Sequence, residues 1–277
     1  MTQKRKAELD ALCLKWRMDV LTTLHRVKTG HPGGSLSAAE ILAVLYMELM
    51  DVSPQNIASP ERDVFILSKG HAAPMLYRAL AEKGFLPLEE MDTLRQLNSR
   101  LQGHPCAHKL PGVEMSTGPL GLGLGAGLGM ALAKKLQNAG GYVYVLMGDG
   151  EMQEGVVWEA AMAARKFHAD NLIAIGDING VQLDGTTEQV MPMLDIGLKF
   201  EAFGWNVMWC DGHDAASIAE GIRRLETAGK GPSILLCRTV KGKGVSFMEG
   251  QSVWHGRPIG DAEYRAAMLE LEGKGHA

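Results

Sequence analysis

The chain has 277 residues, 46% apolar and 22% charged, with a formal net charge of −4. That length can bury a full core as one large domain, and the mild acidity leaves no electrostatic footprint for nucleic acid or an anionic membrane surface. The longest apolar runs are short and broken, which excludes a transmembrane helix. Four scattered cysteines (Cys13, Cys106, Cys210, Cys237), no C-x-x-C and an N-terminus without a signal-peptide core point to a reducing cytoplasm.

Leu9, Leu12, Trp16, Val20, Leu24 and Val27 recur at helical spacing and predict a helix over residues 4–28. A second helix is expected from Ser37 to about Met50, with Ser37 as N-cap and Glu40 completing a capping box. Asp63–Leu67 is the first of five short apolar runs, followed by 142–147, 171–176, 205–210 and 233–238. Helical stretches separate them at 121–138, 151–168, 195–203 and 214–226, and an amphipathic helix with a polar tail closes the chain. Continuous apolar strands alternating with helices define an α/β fold, a doubly wound parallel sheet covered by helices on both faces. One domain spanning residues 1–277 accounts for the pattern, while the strand order stays open. Ligands of such sheets bind beyond the carboxyl ends of the strands. Glycine, at 34 residues, clusters at 30–34, 118–129, 148–155 and 241–244, as expected where backbone folds closely round a ligand.

Gly148-Asp149-Gly150 ends one apolar run, and Asn179 follows after 28 intervening residues that read as one helix and one strand. An acid and an amide at the ends of consecutive strands suit a hard divalent cation, with the nearby Val181 carbonyl as a further oxygen and the rest from a diphosphate. Amides at the start of the 151–168 helix, beginning at Gly150, are placed to meet the same diphosphate. The competing reading is a nucleotide-binding or merely glycine-rich turn; the distant Asn179 favours the metal. Gly118-Pro119-Leu120-Gly121 leads into Gly123, Gly125, Gly127 and Gly129, but no strand precedes it, so a dinucleotide fingerprint fails. Close helix packing is expected for Gly123 to Gly129, and ligand contact through backbone for Gly118 and Leu120. Four histidines, His31, His71, His104 and His255, sit beside glycine or proline in loops, where imidazoles shuttle protons or hold hydroxyls. None has zinc-ligand spacing. His25, His108, His168, His213 and His276 read as surface or structural. Glu154 and Glu159 lie on a helix rich in small residues, where a buried carboxylate would need a partner or a raised pKa.

From Thr29 to Gly256 the motifs GHPGGSLS, SKGHAAPMLY, GHP, PGVEMSTGPLGLGLGAGLGMALA, GDGEMQEGVVWEA, DINGVQLDG, KGKG and VWHG closely resemble the N-terminal, diphosphate-binding half of transketolase. The resemblance implies thiamine diphosphate and Mg2+ (or Ca2+/Mn2+) as cofactors, with Asp149, Asn179 and the Val181 carbonyl on the metal. It implies Gly148, Gly150, His71 and His255 around the diphosphate, and Gly118 and Leu120 at the aminopyrimidine. His31, His71, His104 and His255 would line the channel to the reactive carbon, and Glu154 and Glu159 would be interface carboxylates. The implied activity moves a two-carbon ketol unit from a ketose, expected as its phosphate, to an aldose. In transketolases the glutamate that activates the cofactor and the aromatic platform for its ring come from a second domain of the opposite subunit. The expectation is therefore the N-terminal subunit of a split transketolase, working in an α2β2 heterotetramer with a C-terminal partner subunit. The rivals are the alpha subunit of a 2-oxo acid dehydrogenase and a non-catalytic nucleotide-binding module.

Overall fold

The computed structural model describes residues 1–275. In chain order its helices are α1 (Gln3–Val27), α2 (Pro32–Leu36), α3 (Ala39–Val44), α4 (Ala73–Glu82), α5 (Leu122–Leu136), α6 (Gly155–Lys166), α7 (Thr187–Val190), α8 (Ile196–Ala202), α9 (Ala215–Glu226) and α10 (Asp261–Gly275). The strands are β1 (Val64–Leu67), β2 (Val143–Gly148), β3 (Leu172–Ile178), β4 (Asn206–Asp211) and β5 (Ser233–Arg238), all parallel and ordered β1-β2-β3-β5-β4. Each expected apolar run is a strand, within one or two residues.

Successive strand residues point to opposite faces of a sheet, and both faces here are buried. Tyr144, Leu146, Ile173, Ile175 and Leu235 join the core made with α1, α3, α4, α9 and α10. Val143, Val145, Met147, Leu172, Ala174, Ile234 and Leu236 join the core made with α5, α6 and α8. Both sets being apolar is why the strands read as continuous rather than alternating runs. At the carboxyl end of the sheet, β2 runs out into Asp149 and the adjacent β3 into Asn179, with Gly148 in register with Asp177.

Three local expectations are corrected. The helix from Ser37 is broken: α2 starts at Pro32, α3 starts at Ala39, and residues 45–49 form a π turn. Ser37 is no N-cap, because its hydroxyl donates to the Gly34 carbonyl at 3.2 Å and to Asp177 at 2.6 Å. Glu40 does not reach back to complete a box; it accepts two hydrogen bonds from Arg17 at 2.6 and 2.7 Å. The helix after Asp149 is also interrupted. Residues 150–153 form a 3-10 turn and α6 begins only at Gly155, leaving Glu154 at its N-cap in extended conformation. Glu154 and Glu159 are exposed, so neither needs a buried partner. Finally, Gly123 and Gly127 pack on the sheet rather than on another helix. A Cβ at Gly127 would meet Val145 at 2.5 Å, whereas Gly125 has only Ala160 of α6 at 4.0 Å and Gly129 faces open space.

Candidate functional site

A cavity at the carboxyl ends of β2 and β3 is lined by Gly34, Lys69, His71, Leu120, Gly148, Asp149, Gly150, Glu151, Asn179, Val181, Gln182, Leu183, Lys241 and His255. Most of the expected site residues therefore meet in one place.

The buried Asp149 accepts from the Gly150 amide at 2.8 Å and from the Gly180 amide at 2.5 Å. The Gly150 amide donates to the side chain of its own neighbour, and Gly150 opens a 3-10 turn rather than the expected helix. Burial, and then the charge of Asp177, raises the Asp149 carboxyl from 3.8 to about 6, against the lowering effect of those two amides. The Asn179 side-chain oxygen accepts from the Val181 amide at 3.1 Å. The Val181 carbonyl accepts from the Lys241 ammonium at 3.0 Å.

One carboxylate, one amide oxygen and one carbonyl form a hard-oxygen donor set. Among the described residues no three His, Cys, Asp or Glu side chains converge on a metal position, so a cation here must complete its shell with ligand oxygens and water. That suits magnesium, which keeps waters and takes one or two carboxylates beside phosphate oxygens. The buried Gln182 side-chain oxygen lines the same cavity without a hydrogen-bond partner, an acceptor free for a metal-bound water or a ligand donor. The residues present fit the group.

Sequence reasoning did not single out the charges that brace this pocket. Lys69 and Asp177 form a buried ion pair with side-chain exposures of 1% and 0%. Lys69 also donates to the Gly34 carbonyl at 2.9 Å, and Asp177 further accepts from Ser37 and Thr239. Despite full burial, the Lys69 ammonium holds the Asp177 carboxyl below its ordinary range. Glu151, equally buried, accepts from Ser68 Oγ, from the Gly121 amide at 2.8 Å and from the Gly148 amide at 3.1 Å. One carboxylate thereby ties the end of β1, the loop before α5 and the end of β2; Leu120 of that loop lines the cavity with Asp149, while Gly118 lies against His104. Lys241 donates to His255 Nδ1 at 2.9 Å; burial, and then the charge of Lys69, lowers its ammonium to about 8. The available signal was lysine inside glycine-rich turns, SKGH and KGKG.

Four histidine rings converge beside the cavity. His31 lies 5.6 Å from His71, 5.7 Å from His104 and 5.5 Å from His255, and His71 lies 4.8 Å from His255, centroid to centroid. Gly34 makes this possible, because a Cβ there would stand 2.7 Å from His71 Nε2. Burial is the largest influence on all four. It pushes His31 to about 4 with help from Arg95, His255 to about 3 with help from Lys241, and His71 and His104 downward. The rings are neutral at pH 7. Guanidinium and ammonium groups donate but cannot accept, so Arg95 beside His31 Nδ1 at 3.4 Å and Lys241 beside His255 Nδ1 assign those nitrogens as acceptors. Each of these two rings then carries its proton on Nε2.

His213 is structural, as expected, and its connections are specific. Its Nε2 accepts from the Val240 amide at 2.8 Å and its Nδ1 stands 2.9 Å from Glu40. His25 stacks on Tyr264 at 4.2 Å, His108 and His168 are exposed, and His276 lies outside the described residues.

Residues 10–273 match the family described as "Transketolase, thiamine diphosphate binding domain", and the chain belongs to that family. It is 42% identical over 255 residues to the 6-deoxy-6-sulfo-D-fructose transketolase subunit SqwG of Clostridium sp. (strain MSTE9), covering 92% of this chain and 93% of that one. It is 43% identical over 258 residues to an apulose-4-phosphate transketolase subunit of Phocaeicola vulgatus, covering 93% and 91%. Transketolase from Campylobacter jejuni superposes with a TM-score of 0.89 at 32% identity, covering 98% of this chain but 43% of that one. The chain thus carries the thiamine diphosphate-binding domain of a transketolase, and the two relatives it matches along nearly their whole length are each named as a transketolase subunit.

Proposed function

We propose that the chain forms one domain that holds the diphosphate and magnesium end of thiamine diphosphate and, with its partner, moves a two-carbon ketol unit from an anionic ketose to an aldose. The observation that carries this reading is the contact of His31 with three other neutral histidines directly beside the cation pocket. A polyhydroxylated sugar needs several convergent donors and acceptors, whereas a 2-oxo acid decarboxylase does not.

Asp149, Asn179 and the Val181 carbonyl are assigned to the metal. Lys241, which donates to the Val181 and Gln182 carbonyls, would be placed to meet the diphosphate if a metal held Val181. His71, His255, Gly148 and Gly150 border the phosphates, and Gly118 and Leu120 present backbone to the aminopyrimidine. When bound, the cofactor supplies a carbon nucleophile and an electron sink for the two-carbon unit. The chain's own part is to bind, orient and move protons. His31 and His255 offer Nε2–H donors to substrate oxygens, while neutral His71 and His104 accept or relay protons. The exposed Glu154 and Glu159 are assigned to the subunit interface. The partner is assigned the cofactor-activating glutamate and the aromatic platform, in an α2β2 assembly in the cytoplasm. Among the described residues no helix is long and apolar enough to cross a membrane.

The names of the relatives support a phosphorylated or sulfonated sugar as substrate. The chain should be purified alone and with its partner and assayed for ketol transfer with magnesium and thiamine diphosphate across a panel of such ketoses. Transfer is expected only from the pair. High activity of this chain alone, or decarboxylation of 2-oxo acids by the pair without ketol transfer, would overturn the reading.

A further inference from the structure

The four cysteines are scattered in the sequence, yet the fold brings two of them together. Cys210 and Cys237, 27 residues apart, are register partners on the parallel strands β4 and β5, and their sulfurs stand 3.4 Å from one another. Both are free thiols, in the core that Ala215, Ile218 and Ala219 of α9 help to form. Neighbouring strands lie about 4.8 Å apart, inside the roughly 4.4–6.8 Å between Cα atoms that a disulfide spans. A bond between these sulfurs therefore asks for side-chain rotation rather than strand movement.

The two thiols are not equivalent. β4 is the edge of the sheet and pairs with β5 alone. A recess reaches Cys210 there, walled by Trp209 and by Ser217, Glu220 and Gly221 of α9. Cys210 is 7% exposed and Cys237 0%. Contact with Cys210, and then burial, pushes the Cys237 thiol up, so it stays protonated and resists oxidants, which attack thiolates. A small oxidant thus meets Cys210 first, with Cys237 poised as the resolving thiol, an arrangement found in redox-sensing cysteines. Core filling accounts for two buried cysteines, which pack as small apolar side chains. It does not require them to be touching register partners on an edge strand, one of them lining an open recess.

We infer that Cys210 and Cys237 are a disulfide-forming site that fastens the edge strand β4 to β5 when hydrogen peroxide oxidises the chain. In the first step the O–O bond breaks, the Cys210 S–H becomes S–OH, and water leaves. The Cys237 sulfur then attacks the Cys210 sulfur; the S–O bond breaks, and the hydroxide departs with the Cys237 proton as a second water. The two thiols have lost two electrons and two protons, and the peroxide has gained them. A small-molecule thiol reverses the change by thiol–disulfide exchange, which suits a reducing compartment, where such bonds are transient and redox-sensing. The bond closes the stretch from β4 through α9 to β5 into a loop, which restricts the unfolded chain and favours the folded one.

The test uses the full chain carrying Cys106→Ser, which removes the half-buried Cys106 thiol as a competitor. The reduced protein is treated with hydrogen peroxide, its remaining thiols are alkylated, and it is digested with trypsin without reductant. Cys210 falls in the peptide of residues 200–223 and Cys237 in that of residues 231–238. The two peptides are expected as one linked species, with the intact mass lower by two hydrogens. The oxidised chain should melt about 5 °C above the reduced one, and dithiothreitol should reverse both changes. Cys210→Ser should abolish the link and the rise in Tm. Cys237→Ala should leave Cys210 as a sulfenic acid that dimedone labels, whereas Cys210→Ser should leave Cys237 unlabelled. Recovery of both peptides alkylated and unlinked, or linkage only after the chain is unfolded in urea, overturns the site. Linkage with an unchanged or lowered Tm overturns the fastening of β4.

Discussion

Replacing Asp149 by Asn should stabilise the metal-free chain while abolishing its metal-dependent function. Raising a carboxyl from 3.8 to about 6 means that at pH above 6 the folded protein carries ~3 kcal/mol of unfavourable ionisation. The unfolded chain binds fewer protons than the folded one between pH ~4 and ~6, so this cost is absent at the acid end and grows as pH rises through that window. Asparagine removes the charge but keeps only one acceptor for the two amides of Gly150 and Gly180. Its NH2 then faces one of them, a loss of about 1–2 kcal/mol. The expected balance is a gain of about 1–2 kcal/mol near neutral pH, or a few degrees in Tm, shrinking to nothing near pH 5. Urea denaturation of both proteins at about pH 7.5 and pH 5 measures it, alongside calorimetric titration with magnesium and pyrophosphate, which should show no binding by the variant. A variant that is equally destabilised at both pH values would refute the buried-charge argument. Undiminished magnesium-dependent pyrophosphate binding would refute the metal assignment.

Lys69→Met should cost about 3–5 kcal/mol, because it strands the fully buried Asp177 without its counter-charge; the denaturation midpoint of the chain reads this directly. Lys241→Met should leave stability nearly unchanged yet weaken magnesium pyrophosphate binding by about tenfold, and wild-type affinity should decline as pH rises through about 8, where Lys241 loses its proton. Calorimetry at three pH values checks both. The four channel histidines are held neutral in the folded state, with values below the ordinary 6.5. The unfolded chain therefore takes up more protons below that point, and stability should fall as pH drops from about 6.5 toward 4, outweighing the opposite trend of the single Asp149. Replacing His31 and His255 by Asn should flatten that loss in urea titrations.

The strands were legible because a sheet buried on both faces admits only apolar residues, as Val143 through Met147 show. That Asp149, Asn179 and Val181 would share one cavity was legible because strand ends of a parallel sheet share one rim. What was not legible depends on partners remote in sequence. Ser37 has the chemistry of a helix cap, and loses that role because Asp177, from β3, claims its hydroxyl. Glu40 fits a capping box, but Arg17 of α1 takes both its oxygens. Glu151 and Asp177 carry no signal of their own in the sequence; only the folded chain brings Ser68, Gly121 and Lys69 to them. Similarly, the break before α6 follows from Asp149 capping Gly150, a local bond that competes with the helix ladder.

The contact of His213 with the Val240 amide reaches further than its modest size suggests. Arg17 of the first helix grips Glu40, Glu40 grips His213, and His213 grips the residue before Lys241. Lys241, which lines the cavity, is thus leashed to a helix more than two hundred residues upstream, as the numbering of Arg17 and Lys241 makes plain. During synthesis the pocket cannot assemble until the KGKG turn has left the ribosome and met a helix made long before. A nascent chain therefore gains the lysine of this cavity late in its folding.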